Sequence, residues 1–349
     1  MTSNTDLTRR VAATLALVLV ADALLVAVVA YLLAPWVVPF VGTDPGVVGW
    51  AALVVPATAA LAWAQLEYAR RETLAAAGAR TVSDSEYPDL SARLRRLSQA
   101  AGVRTPALAI ADTEVPNSLT VGGPRSATVV VSTGLLDALS EDELDAVLAH
   151  ELAHLRNRDA TVMTLATFLP ALASEESSLA SAFGGSAARR LALGVAAVVG
   201  YAASTSLVSA PPFSLESLLA FGGFAAFTLV FGGVALGLLA TPVVVLSGRL
   251  SRYREFGADR AGAVLSGDPA AMASALETLD DETADRPETD FRAAGVRELC
   301  FLPHGIGGDE TNSDDPLADL PLDVATHPPT EERIARLREL QAEGSDVYE

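Results

Sequence analysis

Long apolar segments are the feature that most limits what this chain can fold into. The first, residues 11–34, contains a single charged residue, Asp22, and three more follow at residues 47–64, 191–208 and 218–246. An apolar run of about 20 residues crosses the hydrocarbon layer of a bilayer as a helix. We therefore predict a mainly α membrane protein with about four transmembrane helices.

Two features of these segments leave alternatives open. Residues 161–173 are apolar but short for a full span, and Glu175 and Glu176 interrupt them. Counting them as a span would put the sequence after residue 249 on the wrong side of the membrane. Asp22 is either a functional carboxylate or a neutral, hydrogen-bonded group where helices pack, and we favour the second reading because no partner is evident.

The positions of the arginines predict the orientation of the chain in the membrane. Arg9 and Arg10 precede the first span and Arg70, Arg71 and Arg80 follow the second, whereas the loop between these spans has no basic residue. Cytoplasmic flanks are enriched in basic residues. We predict a multi-pass protein of the plasma membrane with its soluble parts in the cytoplasm. The predicted segments are two N-terminal spans (1–66), a soluble part (67–173), two further spans (174–248) and a second soluble part (249–349).

The composition of the chain limits the classes of molecule that it can be expected to bind. The formal net charge is −19, half of the residues are hydrophobic, and all 24 basic residues are arginine. An acidic, lysine-free surface suits high salt, where self-repulsion is screened, so we expect a halophilic source and unfolding at low salt. Membrane lipid is an expected partner, but nucleic acid is not, because no basic stripe could neutralise phosphates. The only cysteine, Cys300, excludes an intrachain disulfide, and its apolar neighbours favour a buried residue over a nucleophile.

The soluble part carries an H-E-x-x-H motif. Positions four apart share a helix face, so His150 and His154 can bind one metal ion with Glu151 beside them. Ser140 and Glu143 match a capping box, which predicts a helix from residue 141 to at least residue 156. The alternative is coincidence, two core histidines that bind nothing, and the capped amphipathic helix argues against it.

A catalytic zinc ion needs a third protein ligand and one open position. Glu255 is the best candidate, since Asp259 lies four residues later and can orient a liganding imidazole. His304 and His327 are the other candidates, of which His304 belongs to a loop and receives no role. Without the upstream motif, this region would be an ordinary charged helix after a membrane span.

A β-hairpin precedes the motif helix. Residues 116–121 and 127–131 lie on either side of a Gly-Gly-Pro turn, and residues 107–111 form a further short strand. A strand that ends beside a metal site can bind an extended peptide at its edge. Asn117, Ser118 and Leu119 are therefore either a substrate-binding edge or simple core structure.

These motifs together resemble the M48 family of membrane zinc metallopeptidases. The resemblance rests on His150-Glu151-x-x-His154-x-x-Asn157-x-Asp159, on Arg254-Glu255-Phe256-x-Ala258-Asp259, and on His327-Pro328-Pro329 followed by Arg333. It is nearest to the HtpX-like heat-shock proteases and more distant from the CAAX prenyl endopeptidases. Residue 257 is glycine where the HtpX-like motif commonly has a larger residue.

The resemblance implies a gluzincin-like α+β peptidase domain with one zinc ion per chain. It implies that a zinc-activated water hydrolyses peptide bonds of misfolded or membrane-associated proteins, in protein quality control and stress response, with Glu151 as general base. His327 would donate to the oxyanion, with Arg333 supporting it, or would be an ordinary turn histidine. Asn157 and Asp259 would support the ligands.

Two rival functions remain from the sequence. A site-2-type intramembrane protease is disfavoured because the motif helix carries several charges. A membrane scaffold or transporter with structural zinc would need a fourth protein ligand, which is hard to find here. Four spans, rather than a large helical chamber, favour the HtpX-like role over the prenyl endopeptidase.

Overall fold

The computed structural model describes residues 4–41, 46–123, 125–166, 186–206, 208, 211–284, 301 and 328–345. The elements in chain order are α1 (Asn4–Val41), α2 (Gly46–Ala76), β1 (Ala79–Thr81), α3 (Pro88–Ala101), β2 (Ala107–Ala111), β3 (Ser118–Val121), β4 (Thr128–Ser132), α4 (Thr133–Ala138), α5 (Glu141–Asn157), α6 (Asp159–Ala166), α7 (Ser186–Ser206), α8 (Leu215–Ser266), α9 (Pro269–Ala284) and α10 (Thr330–Ser345). The chain is thus mostly helical, as predicted.

The chain divides into two compact units. One comprises Met1–Thr14, Leu66–Thr167 and Val245–Glu349, and the other comprises Leu15–Gln65 and Phe168–Val244. The first unit contains the sheet and the H-E-x-x-H motif, and the second contains most of the long apolar segments. The four segments proposed from the sequence, with boundaries near residues 66, 173 and 248, stay a prediction.

A small mixed sheet forms the β part of the first unit. Its strand order is β1-β2-β4-β3, with β2 parallel to β4 and both outer pairs antiparallel. The predicted hairpin is confirmed, since Leu119 pairs with Val130 in the β3–β4 register. Strand β1 was not predicted, because three residues carry too little periodicity. Strand β3 lies at the edge of the sheet.

Helix α5 packs in the centre of this unit. Ser140 and Glu143 form the predicted capping box, in which the Ser140 N–H donates to Glu143 Oε2 at 2.8 Å. The helix runs over Glu141–Asn157 and ends where Arg158 adopts a left-handed conformation with φ 60°. The predicted motif helix is therefore confirmed.

The apolar core surrounds α5. Its fully buried leucines come from helices on several sides, namely Leu94 of α3, Leu135 of α4, Leu148 and Leu152 of α5, and Leu276 and Leu279 of α9. Each such side chain stabilises the fold by about 1.5–3 kcal/mol relative to an exposed one. Leu90, Leu94 and Leu97 lie at helical spacing on the buried face of α3, and this helix ends where Gly102 adopts a left-handed conformation. Because this core buries one face of α5, the orientation of the motif is fixed.

Within the part of the chain that the structure describes, two helices are long and apolar enough to cross a membrane. The candidate spans are Leu7–Leu32 of α1 and Gly46–Ala75 of α2, and every charged residue of the second span comes after residue 64. Within α7 and α8, the apolar stretches found among the described residues are shorter, Gly194–Thr205 and Leu215–Thr228. The count of four spans therefore stays a prediction.

The structure describes the surroundings of Asp22 and part of the short apolar segment 161–173. Asp22 is buried, and Gln65 Nε2 of α2 donates to its Oδ1 at 2.9 Å. This contact gives Asp22 the hydrogen-bonding partner that a packing role requires. Residues 161–166 belong to α6, whereas residues 167–173 lie outside the described residues.

Candidate active site

Three potential metal ligands converge in the first unit. His150 and His154 lie one turn apart on α5, and their Nε2 atoms are 3.0 Å apart. The Glu255 carboxylate of α8 approaches them with Oε2 at 3.6 Å from His150 Nε2 and Oε1 at 3.7 Å from His154 Nε2. All three side chains are buried. Two helices distant in sequence thus bring these residues together.

The donor set fits a zinc ion. Two nitrogens that bind one tetrahedral zinc ion at about 2.0–2.1 Å are roughly 3.3 Å apart. The observed separations of 3.0, 3.6 and 3.7 Å lie close to that value. Two imidazoles and one carboxylate leave a fourth position for water, which is the arrangement of catalytic rather than structural zinc.

The charge around the ligands also suits a dication. Among the described residues, four buried carboxylates and two buried arginines belong to the cluster or lie next to it, namely Glu151, Asp159, Glu255, Asp259, Arg254 and Arg333. When all six are ionised and the imidazoles are neutral, two negative charges remain. Buried charges need compensation, so a divalent cation would balance this group.

Asp259 contacts the His150 imidazole at Nδ1, the nitrogen that does not face the other two ligands. Its Oδ1 lies 2.9 Å from His150 Nδ1, and Arg333 donates to both of its oxygens, from Nε at 2.8 Å and from Nη2 at 2.7 Å. Arg333 Nη1 also donates to the Phe301 carbonyl at 2.8 Å. A carboxylate in this position orients an imidazole and raises its basicity toward metal.

A second carboxylate contacts the other imidazole, and the sequence analysis gave it no role. Asp159 Oδ1 lies 3.1 Å from His154 Nδ1 and is fully buried. The left-handed Arg158 turns the chain at the end of α5 and returns Asp159 toward the site. Asn157, which was expected to support the ligands, is half-buried at the end of α5.

These contacts shift the pKa values of the groups involved. Burial lowers the pKa of His150, but the carboxylates of Asp259 and Glu255 outweigh it and raise that pKa to about 9. Burial raises the pKa of Asp259, and the opposing attraction of Arg333 and His150 brings it below its usual value. The site therefore favours a cation at His150, where a metal ion competes with a proton.

The motif glutamate is held by the edge strand. Ser118 Oγ donates to Glu151 Oε1 at 2.6 Å, and Thr120 Oγ1 donates to Oε2 at 2.7 Å. Residues two apart on a strand face the same side, so β3 presents both hydroxyls to α5. Sequence analysis placed Ser118 on this strand but missed these bonds, because nothing local pairs a strand hydroxyl with a helix carboxylate.

Phe301 covers part of the same strand edge. Its N–H donates to the Ser118 carbonyl at 2.9 Å and to Asn117 Oδ1 at 3.1 Å. Its ring packs edge-on against His150, with centroids 4.7 Å apart, and lies under the Arg333 guanidinium. Leu119 is buried and pairs with β4. A hydrophobic residue thus closes one side of the ligand cluster.

A glycine lets the two ligand-bearing helices approach each other. A Cβ on Gly262 of α8 would lie 2.9 Å from the His150 backbone nitrogen and 2.7 Å from Met272 Cε. Such contacts are too short for carbon. Gly262 therefore allows the approach of α8 to α5 that puts Glu255 beside the histidines.

Three residues considered from the sequence, Cys300, His304 and His327, lie outside the described residues. Pro328 and Thr330, which follow His327, are buried at the start of α10.

Comparison with known proteins decides the family. The model of peptidase family M48 matches residues 84–341, which contain β2 to β4, α5, Glu255 and Arg333. The chain belongs to peptidase family M48. It is therefore a metallopeptidase, and the residues His150, Glu151, His154 and Glu255 all lie within the matched range.

Relatives within M48 agree with this assignment. The chain is 34% identical over 289 residues to "Protease HtpX homolog 2" of Methanosarcina mazei, covering 81% of this chain and 82% of the relative. It is 33% identical over 294 residues to "Protease HtpX homolog" of Moorella thermoacetica, covering 80% and 81%. It is 32% identical over 295 residues to "Protease HtpX homolog 1" of Streptomyces coelicolor, covering 83% of each chain. In each comparison the similarity covers about four fifths of both chains.

Proposed function

We propose that this M48 metallopeptidase is an HtpX-like membrane endopeptidase that uses one zinc ion per chain to cut misfolded or membrane-associated proteins. The observation that carries the proposal is the convergence of His150, His154 and Glu255, with the Glu151 carboxylate on the same helix. Relatives named as HtpX proteases, similar over four fifths of the chain, support the choice within the family.

His150, His154 and Glu255 would hold the zinc ion. Zinc bound there would polarise the scissile carbonyl and bring the pKa of a water to about 7. Asp259 and Asp159 keep the two imidazoles oriented through their Nδ1 atoms, at 2.9 and 3.1 Å. Both Nε2 atoms therefore face the ligand position rather than solvent.

Glu151 is the general base in this mechanism. Its carboxylate takes the proton of the attacking water and later delivers it to the leaving amine. Ser118 and Thr120 hold one carboxylate oxygen each, which fixes the base in one rotamer. The same two residues belong to the strand along which a substrate would bind, so peptide binding and base position are linked.

The substrate would pair with β3 at Thr120. The Ser118 carbonyl points away from β4, because it accepts the Phe301 N–H. Alternation along an antiparallel strand directs the main-chain groups of Thr120 to the same side. An extended peptide that adds there lies next to Glu151. Phe301 then sets where the bound peptide must end or turn.

His327 is proposed as a donor to the oxyanion of the reacting carbonyl. The support is its place in the chain, because it precedes Pro328 directly and Arg333 of the following helix lies against Asp259. His327→Ala is expected to lower kcat while zinc content stays unchanged. Loss of zinc in this variant would contradict the role.

The membrane arrangement is part of the proposal. Four spans with both soluble parts in the cytoplasm follow from the apolar segments and from the arginines that flank them. Single cysteines in a Cys300→Ala background test it, using Ser85→Cys and Pro212→Cys. In intact cells a membrane-impermeant maleimide should label the Pro212→Cys variant alone. Labelling of the Ser85→Cys variant instead would show that the chain has the opposite orientation.

The deciding experiment compares wild type with Glu151→Gln in detergent and high salt. Cleavage of an unfolded model protein is expected from wild type alone, with about one zinc ion in each protein. The substitution keeps the shape of the side chain but removes the base, so equal cleavage by both would refute the mechanism. Absence of zinc from both would refute the metal site.

A further inference from the structure

A basic cavity lies away from the candidate active site. It has a volume of about 450 Å³ and is lined by three arginines, Arg70 of α2, Arg104 after α3 and Arg125 between β3 and β4. Hydroxyl-bearing residues line it as well, namely Thr105, Ser126 and Thr128. Its lining comes entirely from the first unit.

The cavity concentrates positive charge in an acidic chain. Among the described residues, no carboxylate lines it. Arg104 and Arg125 are exposed, and neither forms an ion pair within the part of the chain that the structure describes. Arg70 is bound to Glu67 of its own helix, with Nη2 at 3.0 Å from Oε1. Two guanidinium groups therefore remain available for an anion, although the chain carries a net charge of −19.

The turn of the β3–β4 hairpin packs against α2 next to this cavity. A Cβ on Gly122 would lie 3.2 Å from Arg70 Cδ, and one on Gly123 would lie 3.5 Å from Leu66 Cδ1. The turn between β3 and β4 therefore packs directly on the end of α2. Arg125 follows this turn directly and lines the same cavity as Arg70.

The position of Arg70 along α2 sets the depth of the cavity. Arg70 comes six residues after residue 64, the end of the apolar segment of α2, which corresponds to about 9 Å along a helix. The polar layer on each side of a bilayer is about 5–8 Å thick. With the hydrocarbon boundary at residue 64, as in the membrane arrangement proposed above, an arginine side chain at this place reaches the level of lipid phosphates.

We propose that the cavity bounded by Arg70, Arg104 and Arg125 binds a phosphate group. Planar guanidinium groups bind phosphate oxygens in pairs, and threonine and serine hydroxyls complete such sites. The phosphate can come from an anionic lipid headgroup or from a free anion. Nothing in this inference depends on the peptidase reaction.

The test uses the full-length protein in detergent at fixed ionic strength. Its thermal unfolding is followed while short-chain phosphatidylglycerol, short-chain phosphatidylcholine or inorganic phosphate is added. The variant combines Arg104→Gln with Arg125→Gln, two exposed positions whose replacement preserves the fold. The control combines Arg95→Gln with Arg338→Gln, which removes the same charge from exposed positions outside the cavity.

We expect phosphatidylglycerol or phosphate to raise the Tm of wild type and of the control. The half-saturating concentration should rise about tenfold or more in the Arg104 and Arg125 variant. Stabilisation by phosphatidylglycerol alone identifies a lipid headgroup, and equal stabilisation by phosphate identifies a free anion. The inference is overturned if neither anion stabilises wild type, or if the variant responds as wild type does.

Discussion

Arg333 donates two hydrogen bonds to the carboxylate of Asp259, at 2.7 and 2.8 Å, with both side chains buried. The pair joins α10 to α8, and Asp259 in turn contacts His150. The closing helix of the chain is thereby connected to the first metal ligand. Removal of this ion pair should therefore lower both the stability of the protein and its affinity for metal.

Replacing Arg333 with methionine should destabilise the protein strongly. The substitution leaves the buried Asp259 charge without its partner, which costs about 3–5 kcal/mol. Arg338→Met on the same helix is the control, because Arg338 is exposed and its ion pair contributes at most about 1 kcal/mol. Tm in detergent is the measurement, and equal Tm values for the two variants would contradict the structural role of Arg333.

Asp159→Asn should weaken metal binding without unfolding the protein. The amide keeps the shape of the side chain but loses the charge that supports His154 through its Nδ1 atom. Loss of such a partner typically lowers metal affinity by about 10–100-fold. The readout is zinc retained during titration with a chelator. Asp142→Asn, at an exposed position of α5, should retain zinc as wild type does.

Local spacing explains what could be predicted from the sequence. His150 and His154, and likewise Glu255 and Asp259, are each four residues apart, so a helix alone places each pair on one face. The capping box fixed the start of α5 in the same way. Nothing beyond helical geometry was needed for these features.

Contacts between distant segments explain what could not be predicted. The bonds from Ser118 and Thr120 to Glu151 depend on how β3 lies on α5, and Phe301 reaches Ser118 from 183 residues away. Asp159 had a visible signal, a carboxylate just beyond the ligand helix, but its role required the left-handed turn at Arg158. Length and apolarity alone do not settle how many helices span the membrane.

Gly262→Ala should lower zinc occupancy. The added methyl group would meet the His150 backbone nitrogen at 2.9 Å and must push α8 away from α5. Because Glu255 lies on α8 and both histidines lie on α5, the three ligands would separate. Gly237→Ala on the same helix meets nothing within 4 Å and is the matched control. Full zinc occupancy in the Gly262 variant would show that the helices can move apart without affecting the ligands.

Thr120→Val should slow catalysis while leaving the metal in place. Valine keeps the branched shape and the strand conformation but removes the hydroxyl that donates to Glu151 Oε2 at 2.7 Å. A hydrogen bond to a charged group contributes about 1.5–3 kcal/mol, so its loss from the base should lower kcat by about tenfold or more.

The comparison with Thr120→Ser separates this role from simple packing. Serine retains a hydroxyl and should restore most of kcat, although it packs less well than valine. A merely structural role for Thr120 would give the opposite order, with valine active and serine impaired. Zinc content equal to wild type in both variants assigns the difference in kcat to the position of Glu151.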